Sequence, residues 1–230
     1  MPTIIDREFG TIVVRRSAKA TQVRLRVAPD GTLRASMPVY APLFLLKRLI
    51  ASSRSQLRDM LVQAQPSTAY VDGQQIGKSH ALLVRPGAKT LSVIRKNNHL
   101  VVSLPQGKTL HDDDVIRAIR DGSIAALRVE SKKYLPRRLK YLAVKYGFQY
   151  EKVRFSHASS RWGSCSSTGT ISLNIALMKL PFELIDYVLI HELAHTQQMN
   201  HSPLFWQHVE QADPQYKVHR KALMHEVPSI

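Results

Sequence analysis

Three histidines and one glutamate lie within eleven positions of the stretch HELAHTQQMNHSPLFW, residues 191–206. On an α-helix, residues four apart project from one face with their Cβ atoms about 5–6 Å apart. His191 and His195 are therefore expected side by side, close enough to share one metal ion. Glu192 lies about 100° further round the helix. There it can reach a water bound to the ion, although it does not easily become a ligand beside that pair.

A catalytic zinc site takes three protein ligands and keeps one position open. His201 is the nearest further histidine, and the chain must turn to bring it back toward His195. Asn200 tolerates the left-handed conformation that ends many helices, and Ser202-Pro203 is typical of a helix start. The pattern predicts His201 as the third ligand. Two residues of the next helix remain alternative third ligands, namely His208 and Glu210.

Composition and cysteine content indicate an ordinary globular protein. Of the 230 residues, 44% are hydrophobic and 22% charged, as in typical soluble domains. The single cysteine, Cys165, excludes an internal disulfide. We find no apolar run of about 18 residues that would span a membrane, and the start MPTIIDREFG does not resemble a secretory signal. We therefore expect a cytoplasmic protein without a membrane partner; the sequence does not predict its oligomeric state.

The charge of the chain is strongly positive and unevenly distributed. Lys and Arg number 33 against 17 Asp and Glu, a net charge of +16. Residues 1–110 hold 17 of the basic and 5 of the acidic side chains, a net charge of +12. Such a field favours polyanionic partners, including nucleic acid and nucleotides, although it also serves solubility alone.

The first part of the chain, residues 1–110, is predicted to be a basic, β-rich region with one inserted helix. The segment TQVRLRVAPDGTLRASMP alternates apolar and polar residues around Pro29-Asp30-Gly31, which predicts a hairpin. Its three arginines, at 24, 26 and 34, fall on the opposite face. APLFLLKRLIASSRSQLRDMLVQAQ has the spacing of one amphipathic helix. Asn97-Asn98 fits a tight turn between two strands.

The stretch LPQGKTLHDDD suggests a domain boundary, with a second domain over residues 111–230. A helix is predicted over about 112–146, interrupted or kinked near Gly122 and Pro136 and stopped by Gly147. Paired strands are expected at 155–164 and 170–176. A strongly apolar helix opens at Pro181, and another runs from Pro203 to about Gln211.

The segments RWGSCSSTGTISLN and LPFELIDYVLIHELAHTQQMNHSPLFW resemble the YgjP-like metal-dependent hydrolase family, which is related to the SprT-like and WLM zinc proteases. The motifs cover roughly residues 150–206, and VRLRVAPDGTLRASMP and YVDGQQIG are similar to that family's β-rich leading region. The resemblance implies an α+β fold with a minimal zincin-like domain, in which a small sheet packs on the HExxH helix. It also implies that Zn²⁺ is held by His191, His195 and His201, with Glu192 as the catalytic residue.

The three-histidine spacing is also that of metzincins. Here Gln198 stands where metzincins have glycine, and no downstream Met-turn is visible. The chain is therefore not assigned to that family.

Several neighbouring residues are candidates for supporting roles. Arg161 is predicted either to bind a substrate carboxylate or phosphate and stabilise an oxyanion, or to stack on an aromatic ring and pair with Asp186. Cys165 has three candidate roles, as a fourth ligand, a redox switch or a packed side chain. The last is favoured, because small thiols are commonly buried. Phe205 and Trp206 are expected to pack behind His201. Weaker candidates for hydrogen bonds to a transition state are His157, Tyr216 and His219.

The leading hypothesis is a zinc-dependent metallopeptidase acting on a peptide or protein. In it Glu192 takes a proton from a metal-bound water that attacks the amide carbonyl. The first alternative keeps the site but hydrolyses a phosphoanhydride, as in a pyrophosphohydrolase of nucleoside triphosphates such as UTP. The second is a nucleic-acid-binding module with structural zinc, which would not need Glu192.

Overall fold

The structure, a computed structural model, describes residues 3–27, 32–64 and 70–230, with the backbone alone for 62–64. Contacts divide the chain into two compact units, Met1–Thr68 and Ala69–Ile230. Each unit has its own hydrophobic core. None of the helices in the described residues is both long and apolar enough to cross a membrane.

The first unit combines a four-stranded sheet with two short helices. Its elements are β1 (Thr3–Asp6), β2 (Gly10–Ser17), β3 (Arg24–Val27), β4 (Leu33–Pro38), α1 (Leu43–Ser52) and α2 (Arg54–Ala64). The strand order is β1-β2-β4-β3. β4 runs parallel to β2 and antiparallel to β3, which confirms the predicted hairpin strands. The predicted turn at Pro29-Asp30-Gly31 lies outside the described residues.

Alternation of side chains builds the core of this unit. Inward residues of β2 and β4 pack with Leu46, Ile50 and Leu57 of the helices, while the predicted outward arginines at 24, 26 and 34 are exposed. The single predicted helix is divided in two at Ser53. The amide of Ser53 still bonds to the carbonyl of Leu49, at 3.0 Å, but its backbone leaves the helical conformation. Serine competes for backbone hydrogen bonds and favours such ends.

The second unit begins with a three-stranded sheet of β5 (Ala81–Ala88), β6 (Ser92–Lys96) and β7 (His99–Pro105) in the order β5-β7-β6. β5 is parallel to β7, and β6 is antiparallel to it. The predicted turn at Asn97-Asn98 joins β6 to β7, with Asn97 at a φ of 53°.

The long helix α3 (Asp113–Tyr146) continues without a break through Gly122 and Pro136. Of the predicted interruption or kink, the interruption is therefore wrong. Gly122 has a packing role instead. A Cβ atom at that position would lie 2.8 Å from side-chain atoms of Leu100 and Val93, so the glycine lets the sheet approach the helix. Gly147 ends α3 with a φ of 74°, as predicted.

The remaining elements form the part of the unit that carries the three histidines. They are β8 (Lys152–Ser156), β9 (Gly163–Cys165), β10 (Thr170–Asn174), a 3-10 helix (Ile175–Lys179), α4 (Phe182–Ala194), α5 (Pro203–Ala212) and α6 (Tyr216–Leu223). β10 is central, parallel to β8 and antiparallel to β9. One strand was expected at 155–164, but the structure has two, β8 and β9, joined by a loop. β9 packs against α4. The expected α+β class, with a small sheet on the histidine-bearing helix, is confirmed.

The division at Thr68 and Ala69 differs from the boundary expected between residues 110 and 111. Leu82, Leu100 and Leu104 of the β5–β7 sheet share one core with Val115 and Ile119 of α3. Alternating apolar residues predict a strand but do not reveal which element will cover it. Contacts therefore join residues 70–110 to the unit that contains α4.

Candidate metal centre

Helix α4 holds two of the three histidines on a largely buried scaffold. It begins after Pro181, with Glu183 in its first turn, and nine of its thirteen residues are buried. The rings of His191 and His195 lie with their centroids 4.9 Å apart. The helical spacing predicted for this pair is thus observed.

The turn after α4 is made by residues 196–198. The amides of Thr196 and Gln198 bond to the carbonyls of Leu193 and Ala194, both at 2.9 Å. The Thr196 hydroxyl donates to Leu193 O at 2.7 Å. Among described residues other than glycine, only Asn97 has a positive φ. The predicted left-handed conformation of Asn200 is therefore wrong. Backbone hydrogen bonds of residues 196–198 end the helix before residue 200.

His201 lies at the corner between α4 and α5. The next residue, Ser202, is the N-cap of α5, and its hydroxyl accepts a hydrogen bond from the amide of Phe205 at 3.4 Å. Pro203 occupies the first turn. The predicted stop and restart of the chain are both present.

The three imidazoles converge. One ligand atom from each of His191, His195 and His201 lies within 4.8 Å of the others. The Nε2 atoms of His191 and His201 are 3.2 Å apart. Two nitrogens bound to one tetrahedral zinc ion, at about 2.0–2.1 Å each, would lie roughly 3.3 Å apart. The spacing of these two atoms therefore fits a shared ion.

The protonation states also suit a metal. Burial, followed by the neighbouring His195 and His201, lowers the pKa of His191 to about 3. Burial also lowers the pKa of His195. Neutral imidazole is the form that binds metals, because the cation has no free lone pair. His195 Nδ1 lies 3.0 Å from the carbonyl of Gln198. Donation to that oxygen leaves Nε2 of His195 free to bind an ion.

Two aromatic residues of α5 pack against the histidines, as predicted. Phe205 is fully buried, with ring centroids 5.0, 4.5 and 4.8 Å from those of His191, His195 and His201. Trp206 stacks on His201 at 5.7 Å. These contacts restrict the imidazole rings to the arrangement in which their nitrogens converge.

Glu192 is 5% exposed, and its side chain lies directly against Gly163 of β9. A Cβ atom at Gly163 would come within 2.6 Å of Oε1 and 2.8 Å of the carboxyl carbon of Glu192. Oε2 is buried and has no hydrogen-bond partner in the described protein. Burial raises the pKa of Glu192 to about 8, against the opposing effect of the Arg161 charge. This carboxylate is therefore a stronger base than an exposed glutamate.

Arg161 lies near enough to act on Glu192, and it does not pair with Asp186. Asp186 instead binds Arg138 through two hydrogen bonds, at 2.8 and 2.5 Å. The guanidinium of Arg161 forms no hydrogen bond or ion pair with the described residues. The carbonyl of Arg161 accepts a bond from the side chain of Asn174, at 2.9 Å.

Cys165 lies outside the histidine group. Its thiol donates to the Ser166 carbonyl at 3.4 Å. Burial, with a contribution from Glu192, raises the pKa of the thiol to about 11. These features suit a packed thiol better than a ligand or a redox switch.

The other candidates do not join the three histidines. The group of converging ligand atoms contains His201 but neither His208 nor Glu210, and Glu210 is exposed. His219 Nδ1 is bound to Asp213 at 2.7 Å. Of the weaker candidates, Tyr216 stacks on Trp206, and His157 has a pKa lowered by burial and by Arg120 and Arg128.

Two residues of the site were missed by the sequence reasoning. Gly163 leaves the space that the Glu192 side chain occupies. Asn174 is fully buried, and its amide nitrogen donates to the carbonyls of Ala158 and Arg161 at 2.6 and 2.9 Å. It thereby holds the loop before Gly163. An asparagine inside the apolar stretch ISLNIALM was the available signal.

Comparison with solved structures finds two metallopeptidase zymogens. Abylysin of Pyrococcus abyssi is 32% identical, with 39% of this chain and 90% of that chain covered at a TM-score of 0.36. Jannalysin of Methanocaldococcus jannaschii is 17% identical, with 39% and 92% covered at a TM-score of 0.35. Comparison with curated proteins finds no match.

A family model described as "YgjP-like, metallopeptidase domain" matches residues 21–226, nearly the whole chain. That match contains every residue of the histidine group as well as Glu192 and Gly163. A metallopeptidase family implies a catalytic metal, and the three convergent imidazoles are suited to bind one. The chain belongs to the YgjP-like metallopeptidase domain family and has the architecture of a metallohydrolase.

Proposed function

We propose that this chain is a zinc-dependent peptidase that uses Glu192 as its general base. The observation that carries the proposal is a buried, unpaired carboxylate oxygen on the residue next to His191, one of three converging imidazoles. A site that only stabilised the fold would not need a carboxylate that is costly to bury without a partner.

The metal would be held by His191, His195 and His201. Three imidazoles favour Zn²⁺ among the ions common in hydrolases, and they match the three-ligand catalytic type. When bound, zinc supplies Lewis acidity, which lowers the pKa of water and polarises a carbonyl.

Glu192 provides the proton transfers. Its Oε2 has no donor to saturate it, so it is free to accept a proton from the attacking water. The same oxygen then delivers that proton to the leaving nitrogen of the cleaved amide. Since burial favours the protonated form of the carboxyl, Glu192 can hold the proton until the leaving nitrogen takes it.

Strand β9 offers a place for an extended substrate. It is an edge strand of the β8-β10-β9 sheet, and it packs against α4 beside Glu192. Extended peptides bind sheet edges through main-chain hydrogen bonds. We propose that a peptide pairs with β9 and that Arg161 binds a carboxylate or the developing oxyanion.

Replacement of Glu192 tests the proposed chemistry. Glu192→Gln keeps the size of the side chain but removes the base, so we expect hydrolysis of unstructured peptides to fall by about 10²–10⁴-fold. Zinc content, measured by elemental analysis, should stay near one per chain. The matched control is Glu183→Gln, an exposed glutamate on the same helix. Retained turnover in Glu192→Gln would exclude this mechanism.

A second substitution series tests the third ligand. His201→Ala should lower zinc content strongly, whereas His208→Ala and Glu210→Ala should leave it unchanged, because neither residue reaches the histidine group. Loss of zinc in Glu210→Ala with retention in His201→Ala would reverse the assignment.

A nucleoside-triphosphate pyrophosphohydrolase is the second candidate function. The observation that favours it is Arg161, a cation that has no ion-pair partner among the described residues and lies close enough to Glu192 to lower its pKa. A guanidinium beside the water-activating base suits a phosphate group. Parallel assays with peptides and with triphosphates, including UTP, separate the two functions. Phosphate or pyrophosphate release that is lost in Glu192→Gln, without peptide cleavage, would select the second.

A further inference from the structure

A separate cavity of about 490 Å³ opens beside the first turn of α4. One stripe of α3, residues 130–141, forms its longest wall. Lys78, Ser79, Met178 and Phe182 also line it. The volume lies within the range of pockets that bind small molecules, about 300–1,000 Å³.

Among the described residues, the only acid that lines this cavity is buried and already accepts several hydrogen bonds from the protein. Glu130 is 5% exposed. Its Oε2 accepts a hydrogen bond from the amide of Lys78 at 2.7 Å. Its Oε1 is surrounded by the amides of Ser79 and His80, the Ser79 hydroxyl and Nδ1 of His80, at 2.6–3.0 Å. The carboxylate therefore joins residues 78–80 to α3, and its burial leaves a ligand little access to it.

The remaining charged groups of the cavity are cations. Arg138 is paired with Asp186. Lys133 and Arg137 are exposed, and in the described part of the chain no carboxylate lies within ion-pair distance of either one or of Lys78. The free polar groups are thus mainly donors, and a complementary ligand must bring acceptors and negative charge.

Aromatic rings form the other walls. Tyr134 and Phe182 pack with their centroids 5.4 Å apart, and Phe182 is half exposed. The ammonium group of Lys78 lies 4.4 Å from the centre of the Phe182 ring. Tyr141, also half exposed, lines the far end. Such walls favour a flat or apolar body next to the charged group of the ligand.

We propose that this cavity binds a small organic anion in which a phosphate or carboxylate is attached to an aromatic ring. Arg137 binds the anionic group, since a guanidinium donates two parallel hydrogen bonds to such oxygens. Lys133 adds a second positive charge, and the ring lies against Tyr134 and Phe182.

The cavity is distinct from the histidine group. Phe182 precedes His191 by nine residues of α4, which is roughly 13 Å along the axis and about half a turn round it. Binding there leaves the histidines accessible, so this proposal does not rest on the proposed peptidase function.

Titration calorimetry of the whole chain with phenyl phosphate, benzoate, inorganic phosphate and phenol tests the proposal. Phenyl phosphate or benzoate should bind at least about tenfold more tightly than inorganic phosphate or phenol, because only they carry both groups. Which of the two binds more tightly identifies the preferred anion. Absence of heat from both at about 5 mM ligand would overturn the proposal, and so would equal binding of inorganic phosphate.

Neighbouring lysines on α3 provide a matched pair for locating the site. Lys132 and Lys133 are both exposed, but only Lys133 lines the cavity. Lys133→Gln and Arg137→Gln should each weaken binding by about tenfold, whereas Lys132→Gln should not. All titrations use one metal state, so binding at the histidines is common to every variant. Equal affinity in Arg137→Gln and Lys132→Gln would overturn the assignment. Thermal unfolding checks that each variant is folded.

Discussion

At the scale of single residues, Glu192 lies where a neighbouring side chain and a hydrogen-bond donor are both absent in the described protein. Gly163 has no side chain where a Cβ atom would meet the carboxyl group, and no hydrogen-bond donor faces Oε2 in the described protein. The φ of Gly163 is not positive, so its conformation does not require glycine. The contact with Glu192 requires glycine, because a Cβ atom would overlap the carboxyl group.

A double-mutant cycle measures that contact without relying on activity. Gly163→Ala should lower the free energy of unfolding by about 1–3 kcal/mol, because the added methyl group overlaps Glu192. In a Glu192→Ala background the overlap is gone, so the same change should cost less than about 0.5 kcal/mol. Denaturant unfolding gives both values. Equal costs in the two backgrounds would show that the two residues do not interact.

The same substitution should affect hydrolysis by the proposed peptidase. A carboxylate displaced by about 1 Å loses on the order of 10²-fold in rate, while the three histidines remain in place. We expect kcat to fall with little change in KM or in zinc content. A change in KM alone would place Gly163 in substrate binding.

Cys165 provides a prediction of pH dependence. Burial, with the charge of Glu192, raises the pKa of its thiol to about 11. Only the thiolate reacts with iodoacetamide, so alkylation at neutral pH should be about 100-fold slower than for an exposed cysteine. The rate should continue to rise as the pH approaches 11. Mass spectrometry measures the rate of alkylation. A rate that reaches a plateau near pH 9 would contradict a buried thiol with a raised pKa.

At the scale of elements, the site depends on a loop and a turn that join regular structure. Asn174, the last residue of β10, secures the loop 157–162 and also accepts a hydrogen bond from the amide of Ala176 at 3.0 Å. The turn 196–198 and the N-cap of α5 bring His201 back to α4. The side chains of these connections therefore determine where the reactive groups meet.

Loss of the Asn174 side chain should be costly. Asn174→Ala removes three hydrogen bonds and leaves the buried amide of Ala176 without its acceptor, so we expect a loss of about 3 kcal/mol in unfolding free energy. Asn200→Ala is the control. Asn200 is exposed and is not in the left-handed conformation, and its replacement should change stability by less than about 0.5 kcal/mol. A larger effect at Asn200 would restore its predicted role in the turn.

These elements show what could be predicted from sequence. Helical periodicity and end signals predicted α4, α5 and the convergence of His191, His195 and His201, because those signals are local. Gly122 was predicted as a break because glycine weakens helices locally. Its real neighbours, Val93 and Leu100, are more than twenty residues away in the chain. The contact between Gly163 and Glu192 also joins residues far apart in the chain, so the spacing of apolar residues along the sequence does not predict it.

At the scale of the whole molecule, the division at Thr68 and Ala69 does not coincide with the end of the basic part of the sequence at residue 110. The basic part, residues 1–110, is not one structural unit. Its last strands complete the core that surrounds α3. The net charge of +12 is therefore divided between two separately packed cores, although residues 1–68, with 11 basic and 4 acidic side chains, are basic on their own.

Truncation tests this division. A fragment of residues 69–230 should unfold cooperatively, because it retains the complete second core. A fragment of residues 111–230 should lack a cooperative transition, since it loses Leu82, Leu100, Val102 and Leu104. Thermal melts followed by circular dichroism distinguish the two. Cooperative unfolding of the shorter fragment would instead support a boundary at 110.

The position of α3 in the chain has a consequence for biosynthesis. The β5–β7 sheet is translated before the helix that covers its apolar face. Synthesis at about 5–20 residues per second needs roughly 2 to 8 seconds to add residues 106–146. Within that interval Leu100 and Val102 stay uncovered until the first turns of α3, with Val115, Ile119 and Gly122, have been added and have folded. The nascent chain therefore exposes an apolar sheet face before the helix that covers it has been made.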